Sequence, residues 1–277
     1  MNPRPVNRAI ALTGSRLCIG LDPDPKRMPP GMPTDAEGIH DYLARVIDAT
    51  SELAAAYKPN LAFFEAMGRD GHDVVTELLR RIPPGVLTIA DGKRGDIGNT
   101  SAQYARALFD TMKFGAATVN PLMGADCVSP FLDHADRVSF LLCLTSNPGA
   151  EDFLVPHQLY LTIARKAAQW NQRHGNVGLV VGATRPEFVA EIRSVAPTLP
   201  FLIPGVGAQG GEIEAVVRDG HDDEGEGLLF NVSRAVLYAG TSASDFAGAA
   251  ASAARAYRDR IQAAFNAARP SRPPVQT

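Results

Sequence analysis

The residues of this chain best suited to chemistry are two aspartates and two lysines. Asp91, Lys93 and Asp96 lie in the run Asp91-Gly92-Lys93-Arg94-Gly95-Asp96-Ile97-Gly98, and Lys58 lies upstream within Lys58-Pro59-Asn60. Asp91 and Lys93 are two apart at the end of an apolar run that reads as a strand, so both side chains can point to one side. Asp96 follows within one turn, and Lys58, in the preceding apolar run, can lie alongside. Alternating charges of this kind keep one another ionised and oriented even where water is partly excluded. A lysine inside an apolar strand needs such a partner. A glycine-rich surface turn accepts the same residue types, so residue chemistry alone leaves that second reading open.

Such a cluster needs elements to position it. Short apolar runs alternate with helical patterns along almost the whole chain. Strands are predicted at 17–21, 56–63, 86–90, 117–120, 140–144, 178–181, 201–203 and 227–231. Helices are predicted at 37–53, 73–81, 99–112, 127–134, 159–171, 186–195, 212–218 and 244–267. Several strands are rich in Val, Ile and Leu without alternation, as strands buried on both faces are. Eight strands, each followed by a helix, point to an α/β fold, a closed (β/α)8 TIM barrel in one domain. A doubly wound open sheet would show the same order of elements. The domain is expected to span residues 1–268, with the Pro-rich stretch 269–277 a disordered tail and 28–33 a surface loop. In parallel α/β folds, sites form at the carboxyl ends of strands. Those ends carry Asp22, Lys58 with Asn60, the run from Asp91 to Gly98, Thr145-Ser146-Asn147-Pro148-Gly149, the segment from Gly205 to Gly211, and Ser233-Arg234.

The stretch from Asp91 to Thr100 resembles the signature of the orotidine 5'-monophosphate decarboxylase family: an aspartate, a lysine two on, an aspartate three further, then isoleucine. Its Lys-Arg-Gly-Asp-Ile-Gly form resembles one bacterial subgroup. The resemblance continues in order through Gly20-Leu21-Asp22-Pro23, Lys58-Pro59-Asn60, Thr145-Ser146-Asn147-Pro148-Gly149, Pro204-Gly205-Val206-Gly207 and Arg234. It implies a TIM-barrel enzyme that makes uridine monophosphate without cofactor or metal, with Lys58, Asp91, Lys93 and Asp96 as its charged catalytic array. It also implies a homodimer whose active sites are shared, Asp96 reaching the partner's site with Ile97 and Thr100 crossing beside it. By the same resemblance Asp22 binds the ribose and Ser146 contacts the pyrimidine. Gln209 and Arg234 hold the phosphate, helped by backbone N–H groups around Gly205 and Gly207. Gly92 stands where many members have a larger residue, which would loosen the backbone between Asp91 and Lys93.

Composition narrows the partners. The 277 residues are 45% apolar and 21% charged, with a net charge of -3. No basic stripe is present, so nucleic acid is not expected, and an anionic substrate must be held by a few placed cations. The three cysteines, Cys18, Cys127 and Cys143, match no zinc spacing and read as buried free thiols of a reducing compartment. Residues 1–14 show no signal-peptide pattern, and no apolar run is long enough to cross a bilayer, so a soluble cytoplasmic protein without membrane partners is expected.

Rival readings are weaker. Gly205-Val206-Gly207-Ala208-Gln209-Gly210 matches the dinucleotide fingerprint, but it follows the seventh strand and not the first. Phosphate binding within a barrel suits it better. A barrel enzyme acting on a sugar phosphate, a decarboxylase or an epimerase, is the nearest alternative. A decarboxylase of 3-keto sugar acids normally needs a metal, so activity that survives chelation separates the two. Arg94-Gly95-Asp96 as an adhesion tripeptide, and Asn99-Thr100-Ser101 and Asn231-Val232-Ser233 as glycosylation strings, matter only outside the cell.

Overall fold

Non-alternating apolar runs form the strands, because each is covered by helices outside and by its opposite numbers inside. The computed structural model describes residues 5–206, 213–221 and 227–268. Its strands are β1 (Leu17–Leu21), β2 (Ala56–Pro59), β3 (Leu87–Arg94), β4 (Ala116–Val119), β5 (Val138–Leu144), β6 (Val177–Val181), β7 (Phe201–Ile203) and β8 (Leu228–Val232). Successive strands pair in parallel, and β8 returns to β1 with Leu17 opposite Phe230, which closes the barrel. Closure decides for the barrel and against the open sheet.

The helices are α1 (Pro5–Thr13), α2 (Ala36–Thr50), α3 (Leu61–Glu65), α4 (Arg69–Arg81), α5 (Gly98–Ala105), α6 (Ala125–Leu132), α7 (Ala150–Phe153), α8 (Leu159–His174), α9 (Pro186–Val195), α10 (Ile213–Gly220), α11 (Arg234–Leu237) and α12 (Phe246–Ala268). The barrel interior is packed with Cys18, Ala56, Ile89, Phe140 and Leu229, and α1 adds Val6, Ala9 and Ile10 to that same apolar cluster. Helix α1 precedes β1, so it seals the barrel at the amino ends of the strands. No helix among the described residues is long and apolar enough to cross a membrane.

Several boundaries differ from the sequence reading for local reasons. The strand expected over 56–63 stops at Pro59, because the Asn60 side chain caps α3 by accepting the Ala62 N–H at 3.3 Å. The third strand runs four residues further than expected, to Arg94, which pairs with Val119 beyond a register shift. The helix expected over 99–112 begins as α5 and continues as a π-helical stretch, Arg106–Thr111. Helices α3, α7 and α11 are four or five residues long, too short to show a helical period. The loop at 28–33 is present, but Met28 is buried in the core. Glu212 and the tail at 269–277 lie outside the described residues.

Strand β7 is only three residues long and is held from outside by one arginine. Arg193 of α9 is buried and stacks on Phe201, with its guanidinium carbon 3.7 Å from the ring centroid. It donates to the carbonyls of Gly220 (2.8 Å), Ala196 (3.1 Å), Pro197 (3.2 Å) and Leu199 (2.8 Å). One side chain thus ties α9, α10 and the approach to β7. Arg193→Met keeps the bulk and strands those carbonyls. It should cost about 3 kcal/mol and lower Tm by roughly 9 °C in a thermal melt. A shift under about 2 °C would mean that the carbonyls find water instead.

Candidate active site

Lys58 and Asp91 come from neighbouring strands and meet at the carboxyl end of the barrel interior. Lys58 Nζ donates to Asp91 Oδ2, with the two side chains 5% and 9% exposed. Lys93 Nζ donates to Asp91 Oδ1 at 2.6 Å, and its side chain is 49% exposed. One carboxylate therefore holds two ammonium groups, one nearly buried and one half-exposed, and both line a cavity of about 280 Å3. Burial works against the charge on Asp91, but Lys58 and then Lys93 outweigh it and hold its carboxyl well below the usual range. Burial works against the Lys58 ammonium too. Asp91, with a smaller part from Asp22, reverses this and keeps Lys58 charged beyond the ordinary lysine range.

The backbone that carries these groups is irregular. The β3–β4 register shifts between Ala90 and Arg94, and Lys93 is left-handed with φ 46°. Its N–H donates to Thr118 Oγ1 at 2.9 Å, and that hydroxyl lies 3.1 Å from Asp91 Oδ1. Space for a side chain at Gly92 is tight: a Cβ there would lie 3.1 Å from Leu61 Cδ1 and 3.2 Å from Arg94 Nε.

Asp22, Ser146, Gly205 and Arg234 line the same cavity, each at a strand end as expected. Asp22 Oδ1 is buried without a partner among the described residues. The Asp22 carbonyl accepts the Tyr238 hydroxyl at 2.7 Å, and that hydroxyl accepts the Asp24 N–H at 2.7 Å. Those two bonds pin the loop after β1 to the end of α11. Gly20 permits the close approach of β8: a Cβ there would lie 1.9 Å from Ser233 Oγ. That approach brings Arg234 to the rim, where it has no ion-pair partner among the described residues. An exposed guanidinium beside a glycine with φ 92° at Gly205 suits an anion.

Three expected residues stay out of this cavity within one chain. Asp96 Oδ1 accepts the Ile97 N–H at 2.7 Å, Ile97 is 57% exposed, and Thr100 is exposed. Gly207 and Gln209 lie outside the described residues. Thr118 and Asn231 also line the cavity, and neither is among the residues expected there from the sequence. Both are polar residues inside non-alternating apolar strands, and that oddity was the signal available.

A family model described as orotidine 5'-phosphate decarboxylase / HUMPS matches residues 15–247. The chain belongs to the orotidine 5'-phosphate decarboxylase / HUMPS family. The orotidine 5'-phosphate decarboxylase of Roseiflexus castenholzii is 51% identical over 259 residues, covering 91% of this chain and 94% of that protein. That of Thermomicrobium roseum is 48% identical over 263 residues and covers 93% of each. The solved Leishmania donovani OMP decarboxylase superposes with a TM-score of 0.82 at 36% identity, covering 94% of this chain and 98% of that one. Family and barrel thus both agree with the resemblance read from the motifs.

The charge network in this family member has a pH signature. The folded pKa of Asp91 is depressed. Its stabilising contribution is therefore complete above the ordinary aspartate value of about 4 and is lost as pH falls towards the folded value. Asp91→Asn removes that contribution and leaves Lys58 buried without its counter-charge, a loss of about 3 kcal/mol near neutrality. Urea unfolding should show the gap between wild type and variant shrinking from pH 7 to about pH 3. A gap that stays constant would show that Asp91 is not ionised in the fold.

Proposed function

We propose that this chain decarboxylates orotidine 5'-monophosphate to uridine 5'-monophosphate and CO2, with Lys93 as charge stabiliser and proton donor at C6. The observation that carries this reading is the half-exposed Lys93 ammonium, docked on Asp91 at the floor of the cavity. Loss of CO2 from C6 leaves an electron pair in the plane of the ring, with no adjacent carbonyl to take it up. A fixed ammonium at that carbon stabilises the developing charge and then supplies the proton that replaces the carboxylate. Lys58 neutralises and orients Asp91 from behind, and Asp91 lies near the departing carboxylate while it aims Lys93.

The rest of the cavity suits the rest of the nucleotide. Asp22 Oδ1, buried and without a partner among the described residues, is an acceptor for ribose hydroxyls. Ser146 addresses the pyrimidine. Arg234 holds the phosphate with backbone N–H groups at Gly205, and Gly207 and Gln209 join it there. Phosphate binding far from C6 supplies energy for closing loops over the ring. The reaction needs no added electron sink, because the charge is met by Lys93 itself. Three buried free thiols suit a reducing compartment, and we place the enzyme in the cytoplasm.

The working unit in this reading is a homodimer. Ile97, Leu122 and Met123 are large apolar residues left 57%, 56% and 57% exposed after β3 and β4. Covering them with a second copy carries Asp96, Ile97 and Thr100 to the partner's cavity, where Asp96 completes the array.

Two experiments test the proposal. Turnover of orotidine monophosphate, followed by absorbance, should persist after exhaustive chelation. Lys93→Ala should abolish it in a protein that still folds, and substantial residual turnover would remove Lys93 from its role. The shared site is tested by mixing inactive Lys93→Ala and Asp96→Asn homodimers in equal amounts. About half of the reassociated dimers are then mixed, and each has one intact site, so about a quarter of wild-type activity should return. No recovery, with mixed dimers shown to have formed, would place Asp96 outside the partner's site.

A further inference from the structure

Thr118 sits on β4 among apolar neighbours and is only 2% exposed, yet both of its close polar partners belong to the charged motif. Its hydroxyl accepts the Lys93 N–H at 2.9 Å. Its single proton has two possible acceptors, Asp91 Oδ1 at 3.1 Å and the Ala90 carbonyl at 3.5 Å. The nearer acceptor is also the charged one, so the proton goes to Asp91. Branching at Cβ limits the rotation of a threonine side chain, so this hydroxyl is a fixed point and not a swivelling one.

The backbone beside it needs a fixed point. Lys93 is a non-glycine residue at φ 46°, a conformation that costs energy and persists only where its surroundings determine it. At this place the β3–β4 register shifts, and the Lys93 N–H bonds to a side chain of the next strand. Thr118 therefore grips Lys93 at both ends. It holds the backbone from which the side chain departs, and it holds the carboxylate oxygen on which the ammonium lands.

We infer that Thr118 is a positioning residue of the decarboxylation: through its one hydroxyl it sets where the Lys93 ammonium stands over the cavity floor. The inference rests on the decarboxylase reading above, because it is the placement of Lys93 at a reacting carbon that makes the grip matter. A misplacement of about 1 Å at a catalytic group costs on the order of 100-fold in rate. Substrate binding by the phosphate, ribose and pyrimidine contacts does not pass through Thr118. Its loss should fall on kcat and spare KM.

The test compares Thr118→Val, which keeps shape and removes the hydroxyl, with Thr118→Ser, which keeps the hydroxyl and removes the methyl. Thr118→Val should lose roughly 10- to 100-fold in kcat with KM changed less than about threefold. Thr118→Ser should recover most of that kcat. A substrate-free reading accompanies it: the acid-unfolding midpoint should rise in Thr118→Val, since Asp91 loses a donor that favours its ionised form, and should return in Thr118→Ser. Equal kcat in all three proteins overturns the inference. So does an equal loss in Val and Ser, which would assign the effect to methyl packing. If Thr118→Val does not fold, Thr118→Ala takes its place, and equal kcat in Ala and Ser overturns the inference in the same way. Wild-type turnover of orotidine monophosphate decides the decarboxylase reading separately, whatever the variants do.

Discussion

A lysine ammonium buried from water persists as an ion only with a counter-charge in contact, and in this barrel that counter-charge is Asp91. The pairing uses one carboxylate oxygen. The other oxygen is left for Lys93. The two lysines balance the two carboxylates, Asp91 and Asp22, that line the cavity with them, and Lys93 is the exposed positive group at its floor. Arg234 adds a second positive group at the rim. An anionic ligand is thus favoured by a few fixed groups in a shielded space, where each is worth more than it would be on an open surface.

The barrel makes this arrangement possible because its strands are parallel. All eight carboxyl ends reach the same rim, and neighbouring strands present their interior residues at matching heights. Lys58 stands level with Gly20, and Asn60 bridges to Asp91. Below that height the interior is apolar, so the charged set rests on a dry support. The irregularities are confined to the top: the register shift after Ala90, the left-handed Lys93 and the close passage of Ser233 past Gly20. Regular packing beneath over-determines the irregular part above it.

Much of the site was legible because its residues break a pattern. Lys58 interrupts an apolar strand, and Asp91 and Lys93 end one, so burial and charge together demand pairing. Strand alternation accounts for only part of their common direction. Simple alternation along a strand puts residues two apart on one side, but here the chain has already left regular strand geometry at Lys93, and the shared carboxylate brings the groups together. Thr118 escaped notice because threonine is an ordinary strand former and its hydroxyl shows no charge. The π-helical stretch after α5 was invisible for another reason: a 3.6-residue period continues plausibly across one wide turn. Helix α1 is nine residues long and buries only Val6, Ala9 and Ile10, too short a stripe to stand out as a helical period. Asp96 could be assigned a role only by resemblance, since nothing in its spacing says whether it serves the cavity of its own chain.

Helix α1 also settles how matter moves through the molecule. Val6, Ala9 and Ile10 pack with Phe140 in the interior cluster, so apolar side chains fill the barrel beneath the cavity. Among the described residues, the cavity is lined by groups at the carboxyl ends of the strands, and that is the end left for nucleotide and gas to pass. The ring that has lost its carboxylate must climb back past Arg234 before another can descend. Substrate and product share most of their atoms, so one cavity holds them in turn and never together.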